Sequence, residues 1–493
     1  MDTSYLENQL RQRDQLIEQM AETIRRQQQI IAEQAREIDR LRGRVAELEA
    51  VLQRKAQAHR SKPPRFSGDY SLRSQERPER RRKKRSPGRR PKSQKLDQAQ
   101  RIENVYPEGV PPQQCAFVRD RLAWRIEQGR AVHVRYRLHR DSGTGRMAEL
   151  PDVLPRSEHG LEVAVILAFL VYTMGLSIDK ARTLLSFFCR LDLSKSQADS
   201  LLSQLSRLWQ QEFEALCELM AWATVVYIDE TGWKLSAENC YAWVFTTLTH
   251  TVLLYGRGRD HSVLEEILPE DFGGIGVSDD YAVYRDRFSR GQKCWAHLLR
   301  KAIALMLAHP ENGVYRQFFE PLLAVFRDGK RYQHDGRLGA AGRGRRVHEL
   351  EERLERLCTR WQDELSEETP SDERDFVNLQ KALMRMKQER ELFTFVSMPE
   401  VEATNNRSER TLRFTAQMRQ ANQTSQSEWG AQRRSILTSV LVSLRQQLPK
   451  FTLEGVVREV IRWRRAGESL FKAQLAALRA GLPPPHVPAV APS

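Results

Sequence analysis

Three acidic residues in distinctive settings could carry out metal-dependent chemistry. They are Asp229 in Tyr-Ile-Asp-Glu-Thr-Gly-Trp, Asp279 in Val-Ser-Asp-Asp-Tyr and Glu409 in Asn-Asn-Arg-Ser-Glu-Arg. Carboxylate oxygens are the ligands that hard divalent cations such as Mg²⁺ or Mn²⁺ prefer. Two such ions, about 3.5–4 Å apart, support in-line displacement at a phosphodiester without a protein nucleophile. The three settings therefore predict a two-metal site that acts on nucleic acid, with Asp229 and Asp279 holding both ions and Glu409 completing the second site.

Secondary-structure patterns predict how these residues are positioned. Asp229 and Asp279 each follow a short apolar run that predicts a buried strand, at 224–228 and 275–277. Glu409 lies in a polar, arginine-rich segment that predicts the start of a helix. The candidate caps of that helix are Thr404, Asn405 and Asn406. Two strand-end aspartates and a helical glutamate can converge on one point and hold divalent cations.

Neighbouring carboxylates compete with the two aspartates. Adjacent residues of a strand point to opposite faces of the sheet. Glu230 is therefore an alternative to Asp229, and Asp280 is an alternative to Asp279. Asp229 and Asp279 are preferred because each directly ends its apolar run. A single acidic residue at a strand end can also be an ordinary turn or cap residue.

Glu409 has its own alternatives. Glu402 and Glu428 are rivals, and Glu409 could instead be an exposed helical residue paired with Arg413 at i+4. A cluster of arginines around Glu409 favours the site assignment, because a metal site that faces phosphate needs cations and a surface helix does not. The cluster consists of Arg407, Arg410, Arg413 and Arg419. Lys234, near Asp229, is a further candidate for neutralising phosphate charge.

A second motif, Cys294-Trp-Ala-His297, precedes a predicted helix. The Cys-x-x-His spacing could begin a zinc site, but no second pair in the sequence completes it. His297 could instead contact substrate or steady the site, and Arg300 and Lys301 follow on the same helix. The structural alternative is a buried cysteine beside a histidine whose hydrogen-bonding groups find partners within the core.

The charge of the chain predicts a polyanionic partner. The chain has 493 residues, a net charge of +15 and a pI near 9.7, and its length predicts about three or four units. Residues 60–95 contain fifteen Lys or Arg and three Asp or Glu, so they carry most of that charge. Proline and few large apolar residues predict that 59–98 is a disordered, DNA-binding linker. Its candidate DNA contacts are Arg81, Arg82, Lys83, Lys84, Arg85, Arg89 and Arg90.

Two ways of binding DNA are open to this linker. The Pro-Gly-Arg-Arg-Pro segment at 87–91 could lie extended in a minor groove. The alternative is a tail that binds phosphates without regard to sequence, which the absence of base-reading side chains favours.

Residues 1–58 have the strongest periodicity in the chain. One apolar position recurs every seven residues without interruption, at Leu10, Ile17, Ile24, Ile31, Ile38, Val45 and Leu52. Such a seam predicts a coiled coil and therefore a homodimer or higher oligomer, since a partner helix buries it. The alternative is a long amphipathic helix packed on its own protein.

Cysteine and hydropathy patterns indicate the cellular compartment in which the protein works. Six cysteines are scattered without a Cys-x-x-Cys pair, which favours a reducing compartment over a disulfide framework. The most apolar stretch, 161–176, contains Glu162 and is shorter than the roughly 20 residues that span a bilayer. We expect a cytoplasmic protein with no membrane partner.

The remaining patterns predict a multidomain α+β protein. Residues 99–157 form a small β-rich domain, with a strand over 132–138 and a turn at 141–145 leading into a second strand. Residues 158–222 form a helical domain with helices over 160–172, 177–188 and 194–222. The catalytic core is predicted to occupy 223–308 and 395–447, on either side of a helical segment at 309–394. A C-terminal helix and a disordered, proline-rich tail complete the chain at 448–493.

Four motifs resemble those of bacterial transposases of the insertion-sequence 66 family. They are the settings of Asp229 and Asp279, Cys-Trp-Ala-His-Leu-Leu-Arg from Cys294, and Asn-Asn-Arg-Ser-Glu-Arg-Thr-Leu-Arg from Asn405. Their order and spacing match over roughly 225–445. The resemblance implies a ribonuclease-H-like core with an all-helical insertion, in which Asp229, Asp279 and Glu409 form the metal-binding triad. It also implies accessory proteins encoded by the same element.

The sequence departs from this resemblance in one respect. Many family members carry a cysteine-rich zinc motif before the catalytic core, whereas only Cys115 is present here. The β-rich segment 99–157 and the helices after it are candidate replacements for reading the ends of the element. The expected function is cleavage and joining of double-stranded DNA by a nucleoid-associated enzyme. A metal nuclease that cuts without joining, and a DNA-binding regulator with a structural acidic cluster, are the alternatives.

Overall fold

The computed structural model describes residues 96–236, 238–421 and 424–481. These belong to the second of two units into which the chain divides, residues 90–493. The predicted coiled coil, nearly all of the basic linker with its seven candidate DNA contacts, and the proline-rich tail lie outside the described residues.

The first described element group is a small mixed sheet. Its strands are β1 (Arg101–Val105), β2 (Cys115–Glu127) and β3 (Arg130–Asp141). β3 is central, parallel to β1 and antiparallel to β2. Alternate residues of the strands, including Val134 and Tyr136, pack into a small core of their own. The strand predicted over 132–138 is confirmed within β3.

The predicted partner of that strand was wrong. The turn signal at 141–145 leads only to an isolated bridge between Arg140 and Met147. The true hairpin joins β2 to β3 through Gln128 and Gly129, which both have positive φ. Two consecutive residues with positive φ match the right-handed twist of a hairpin. The sequence pattern missed this turn because glutamine is an uncommon residue in that conformation.

Four helices follow the small sheet. They are α1 (Leu161–Ala168), which continues as a π-helical turn over Phe169–Thr173, α2 (Ile178–Cys189), α3 (Lys195–Leu208) and α4 (Gln210–Ala221). The single helix predicted over 194–222 is divided at Trp209, whose backbone leaves the helical region and whose side chain is fully buried. The apolar periodicity continues across this break, so the sequence does not reveal it.

The second sheet has five strands. They are β4 (Val225–Leu235), β5 (Glu238–Thr246), β6 (Thr251–Arg257), β7 (Ile275–Ser278) and β8 (Arg290–Lys293). Their order is β6-β5-β4-β7-β8. The first three form an antiparallel meander, and β7 and β8 run parallel to β4. A short helix, α5 (Ser262–Glu265), lies between β6 and β7.

Strand β4 is longer than the sequence predicts. We expected the strand to end before Asp229, but it continues to Leu235 and pairs with β5 throughout. In the sequence, the polar Asp-Glu-Thr-Gly segment has the pattern that is typical of the end of a strand. Trp233 explains the continuation, because its side chain is 1% exposed and packs against Tyr255 of β6.

Helices make up the rest of the described chain. Between β8 and Glu409 they are α6 (Trp295–Ala308), α7 (Gly313–Gln333), α8 (Ala340–Leu357), α9 (Ser371–Gln388) and α10 (Thr394–Ser397). After them come α11 (Asn406–Gln420), α12 (Glu428–Gln447), α13 (Leu453–Ala466) and α14 (Leu470–Arg479). The stretch between the second and third acidic residues is thus helical after β8, as the resemblance implies.

The five-stranded sheet is covered on both faces. Ile228 and Phe245 face a core formed with helices α1 to α4 and α12 to α14. Tyr227 and Val277 face a second core formed with α6 to α10. Successive β4 residues therefore enter different cores, as the alternation of a strand requires. Asp229 lies two residues after Tyr227, so its side chain points to the same face of the sheet, which is the face that carries α6 to α10.

Helix α12 covers the edge strand β6. Ser435, Ser439 and Ser443 recur every fourth residue and lie on one side of the helix. Their hydroxyls accept the backbone N–H groups of Tyr255, Leu253 and Thr251, respectively, at 2.8–3.0 Å. These side chains replace the missing neighbouring strand and satisfy donors that an edge leaves unpaired.

Candidate active site

Parallel strand pairing brings Asp229 and Asp279 together. Tyr227 of β4 lies opposite Val277 of β7, and each aspartate is two residues further along its chain. They therefore lie at the same level on the same face, and neighbouring strands are about 4.8 Å apart. Asp279 directly follows the last residue of β7, and its Oδ1 accepts the N–H of Tyr281 at 2.9 Å.

The start of α11 brings Glu409 to the same place. The side-chain amide of Asn405 donates to the carbonyl of Ile228 at 2.7 Å, immediately before Asp229. The backbone N–H of Asn405 donates to Sγ of Cys294 at 3.1 Å. Asn405 is fully buried and makes no side-chain cap, so its predicted capping role is replaced by an anchor to β4. Glu409 lies in the first turn of this anchored helix.

The electrostatics of Asp229 show that acidic groups gather around it. Its pKa is raised to about 8, chiefly by burial, then by the charge of Glu230 and Asp279, with a smaller contribution from Glu409. The N–H of Glu230 donates to Asp229 Oδ1 at 2.9 Å and partly opposes that rise. Within the described part of the chain, neither Asp229 nor Asp279 forms an ion pair. A cation placed among these groups would favour their ionised forms.

The rival carboxylates beside the two aspartates have cationic partners. Glu230 pairs with Arg259 at 2.7 Å and accepts the Tyr284 hydroxyl, with its side chain 2% exposed. Asp280 pairs with Arg385 of α9. Since these acids are already neutralised, the geometry favours Asp229 and Asp279 as the groups free to bind a cation.

Of the two alternatives to Glu409, one has a cationic partner and the other is exposed. Glu402 pairs with Arg407 at 2.5 Å, and Glu428 is exposed at the start of α12. Glu409 itself accepts a hydrogen bond from Arg300 of α6 at 2.8 Å. Its ion-pair partner is thus on another element and not the i+4 arginine of its own helix.

The Cys-x-x-His motif lies against Glu409. Cys294 immediately precedes α6, and His297 lies in the first turn. His297 Nε2 is 3.7 Å from Glu409 Oε1. Burial, followed by the charge of Arg300, lowers the pKa of His297, so the ring is neutral at neutral pH. Its other ring nitrogen, Nδ1, is buried and lacks a hydrogen-bond partner among the described residues.

A pocket opens beside these residues. Its volume is about 230 Å³, and Asp279, Cys294 and His297 all contribute to its wall. Asp280 and Lys301 line both this pocket and a larger cleft of about 1070 Å³ between α6 and α9. The smaller pocket therefore reaches Asp279 of the candidate site.

Comparison with known families decides what kind of protein carries this arrangement. Residues 159–433, more than half of the chain, match the family described as Transposase IS66 family. The chain belongs to the IS66 transposase family. No curated protein matches it. The matched range holds all three acidic residues and the Cys294 motif.

The match covers only part of the described chain. It begins just before α1 and ends within α12, so the small sheet β1–β3 precedes it. Among the described residues of the transposase, no helix has the length and apolar character that crossing a membrane requires.

The predicted phosphate-binding residues of the transposase divide into two groups. Lys234, Arg410 and Arg413 are exposed and free to meet a ligand. Arg419 instead donates to the Gly232 carbonyl at 2.9 Å and supports β4. Arg407 and Arg300 are engaged with Glu402 and Glu409, as described above. The sequence placed these cations near the site but could not distinguish structural arginines from exposed ones.

Two partners of the site were missed by the sequence analysis. Arg259 lies over the ring of Tyr281 at 3.8 Å while it neutralises Glu230. Lys293, at the end of β8, is 1% exposed and 3.5 Å from Glu391. Neither has a local sequence signal, since each partner lies distant in the chain. Among the described residues, Asp229 and Asp279 thus form no ion pair, whereas the adjacent acids Glu230 and Asp280 do.

Proposed function

We propose that this protein is the catalytic transposase of an insertion sequence, which cleaves the ends of its element and joins them to target DNA. Its family makes it a DNA-processing enzyme. The observation that carries the finer assignment is the convergence of Asp229, Asp279 and Glu409 from β4, the end of β7 and α11.

The proposed cofactor is a pair of Mg²⁺ or Mn²⁺ ions. Asp229, Asp279 and Glu409 would hold them, because carboxylate oxygens suit hard cations. The raised pKa of Asp229 supports this fit, since acids crowded without a cation resist ionisation. When bound, such ions activate the attacking oxygen and stabilise the leaving 3′ oxygen.

The chain's own residues position the reactants in this proposal. Asn405 fixes the start of α11 on β4, and Arg300 holds the Glu409 carboxylate. Lys234, Arg410 and Arg413 neutralise phosphate charge at the surface, because each is exposed. After cleavage, the freed 3′-hydroxyl attacks target DNA in the same site. His297, in the pocket wall, is a further candidate for positioning the DNA.

We further propose how the segments divide the work. The five-stranded mixed sheet with covering helices supports a ribonuclease-H-like core over 223–308 and 395–447, with 309–394 as its insertion. The heptads of 1–58 would form a homodimer or larger oligomer through a coiled coil, and 59–98 would bind DNA. The small sheet and 158–222 are candidates for recognising the element ends. Accessory proteins of the same element and a nucleoid location belong to this proposal.

Two other functions make different predictions. A ribonuclease-H-like nuclease would cleave without forming joined products. A regulator with a structural acidic cluster would keep its full function when the three acids are replaced by amides.

The test uses labelled DNA from the genomic borders of the gene, with purified full-length protein and Mn²⁺. We expect cleavage at the border and joined products, both lost in Asp279→Asn. Asp271→Asn is the matched control, because Asp271 is exposed and lies before β7. Cleavage without joining would favour the nuclease. Cleavage that persists in Asp279→Asn would remove Asp279 from the site.

A further inference from the structure

The Cys294 motif acquires a third potential ligand from a distant part of the chain. Sγ of Cys294, a ring nitrogen of His297 and a carboxylate oxygen of Glu409 all lie within 4.8 Å of one another. Two of these ligands come from the start of α6 and the third from the first turn of α11. In the sequence the motif has no completing pair, because its partner is more than 100 residues away.

The chemistry of these donors differs from that of the two aspartates. A thiolate and an imidazole select zinc-like transition metals, whereas Mg²⁺ prefers oxygen alone. Zinc bonds of about 2.0–2.3 Å in tetrahedral geometry separate ligand atoms by roughly 3.3–3.8 Å. Atoms already within 4.8 Å need only small side-chain movements to reach this arrangement.

The surroundings of the three side chains suit a bound ion. The N–H of Asn405 donates to Sγ of Cys294, and Cys294 stands at the N-terminus of a 14-residue helix. Burial raises the pKa of the Cys294 thiol, and the Asn405 N–H opposes part of that rise. Arg300 orients Glu409, as outer hydrogen bonds orient metal ligands.

A pocket adjoins two of the three side chains. Cys294 and His297 line the pocket of about 230 Å³ that adjoins Asp279. The pocket gives an ion a path to these ligands and leaves room for water as a fourth ligand. Three protein ligands with one open position is an arrangement that zinc adopts in proteins.

We propose that Cys294, His297 and Glu409 form a site for one zinc-like transition-metal ion, separate from the ions assigned to Asp229 and Asp279. The Cys294 thiol releases its proton to solvent as the metal–sulfur bond forms. Glu409 belongs to both sites, so an ion held here withdraws it from the catalytic pair. Zinc is therefore an inhibitor of DNA cleavage, a consequence that rests on the function proposed above.

Cobalt binding tests the site directly and without any activity measurement. Co²⁺ is titrated into metal-free, full-length protein while absorption from thiolate-to-cobalt charge transfer is followed. We expect saturation at one ion per chain and displacement by Zn²⁺. Cys294→Ser abolishes the absorption, and His297→Ala weakens affinity at least tenfold, since even outer-shell changes cost 10- to 100-fold.

Cys358→Ser is the matched control, because Cys358 is equally buried but lies in the apolar core formed with α6 to α10. It should leave the absorption unchanged. Absence of the absorption in the unmodified protein, or its persistence in Cys294→Ser, would overturn the site. If Cys294→Ser does not fold, unchanged affinity in His297→Ala decides against it.

The inhibitory role is tested separately, by adding Zn²⁺ to Mn²⁺-supported cleavage of border DNA. His297→Ala should require at least tenfold more zinc to lose half of its own zinc-free activity. Equal zinc sensitivity in the two proteins would overturn the inhibitory role. Absence of cleavage in all samples would count against the proposed function and leave the cobalt result standing.

Discussion

At the scale of single residues, Asp229 shows how neighbouring carboxylates affect the stability of the fold. Its carboxyl group is crowded by Glu230, Asp279 and Glu409, and its pKa is about 8. A carboxyl group with a raised pKa binds its proton more tightly in the folded chain than in the unfolded chain. Ionisation therefore destabilises the fold, and the proposed divalent cation would offset that effect.

The first prediction concerns stability in the absence of divalent ions. Asp229 contributes stability that is complete below about pH 4 and is lost as pH rises through about 8. We expect Asp229→Asn to raise the free energy of unfolding by a few kcal/mol at about pH 9, since one pKa unit corresponds to about 1.4 kcal/mol. Chemical denaturation with chelator, at several pH values, measures the difference.

The same variant should lose DNA cleavage, so stability and activity change in opposite directions. Glu428→Gln is the control, because this exposed acid lies outside the site, and it should change neither property. A drop in stability for Asp229→Asn at high pH would show that Asp229 is neutralised by a partner and not crowded by acids.

At the scale of elements, the site depends on one anchor between α11 and β4. The Asn405 amide reaches the Ile228 carbonyl at 2.7 Å and thereby sets where Glu409 meets Asp229. Small displacements of a catalytic group are costly, because a shift of about 1 Å can reduce a rate about 100-fold. The anchor is thus a positioning contact that lies outside the triad.

We predict that Asn405→Ala reduces DNA cleavage by about 10- to 100-fold while the protein stays folded. Raising the Mn²⁺ concentration should restore part of the rate, because a misplaced Glu409 weakens metal binding. The neighbouring Asn406 is exposed, so Asn406→Ala should cleave normally. Equal activity in both variants would mean that α11 is held in place without the anchor.

The three serines of α12 that accept N–H groups of β6 support a prediction about stability alone. Ser439 Oγ accepts the buried N–H of Leu253 at 2.8 Å. Ser439→Ala leaves that donor unsatisfied and should lower the free energy of unfolding by about 1–3 kcal/mol. Urea denaturation measures the change, with the exposed Gln432→Ala of the same helix as control. A neutral Ser439→Ala would indicate that water replaces the hydroxyl.

These elements also show how far the sequence predicts the structure. A short apolar run located β7 within a residue, because burial on both faces leaves a local signal. The continuation of β4 past Asp229 was missed, since Trp233 is held by contacts with residues distant in the chain. The Asn405 anchor and the proximity of Glu409 to Cys294 were missed for the same reason. Residue types were predictable, whereas pairing across the fold was not.

At the scale of the whole molecule, the proposed chemistry and the proposed affinity for DNA belong to different segments. The three acids lie in the described core, whereas the strongest concentration of positive charge is at 60–95. Binding to DNA through phosphate contacts releases counterions and is therefore sensitive to salt. Substitutions in the triad should for this reason abolish cleavage and leave the affinity for DNA unchanged.

The last prediction concerns that basic segment. Deleting 60–95 should weaken binding to DNA and flatten its salt dependence, because log K falls by about 0.9 per decade of salt for each phosphate contact. Fluorescence anisotropy over a series of salt concentrations measures both quantities. A variant of unchanged length, with the fifteen basic residues replaced by glutamine, separates the effect of charge from that of the spacing between 1–58 and the core. If charge is the cause, the two variants have the same shallow slope. An unchanged slope in both would assign the phosphate contacts to the folded part, where Lys234, Arg410 and Arg413 are exposed.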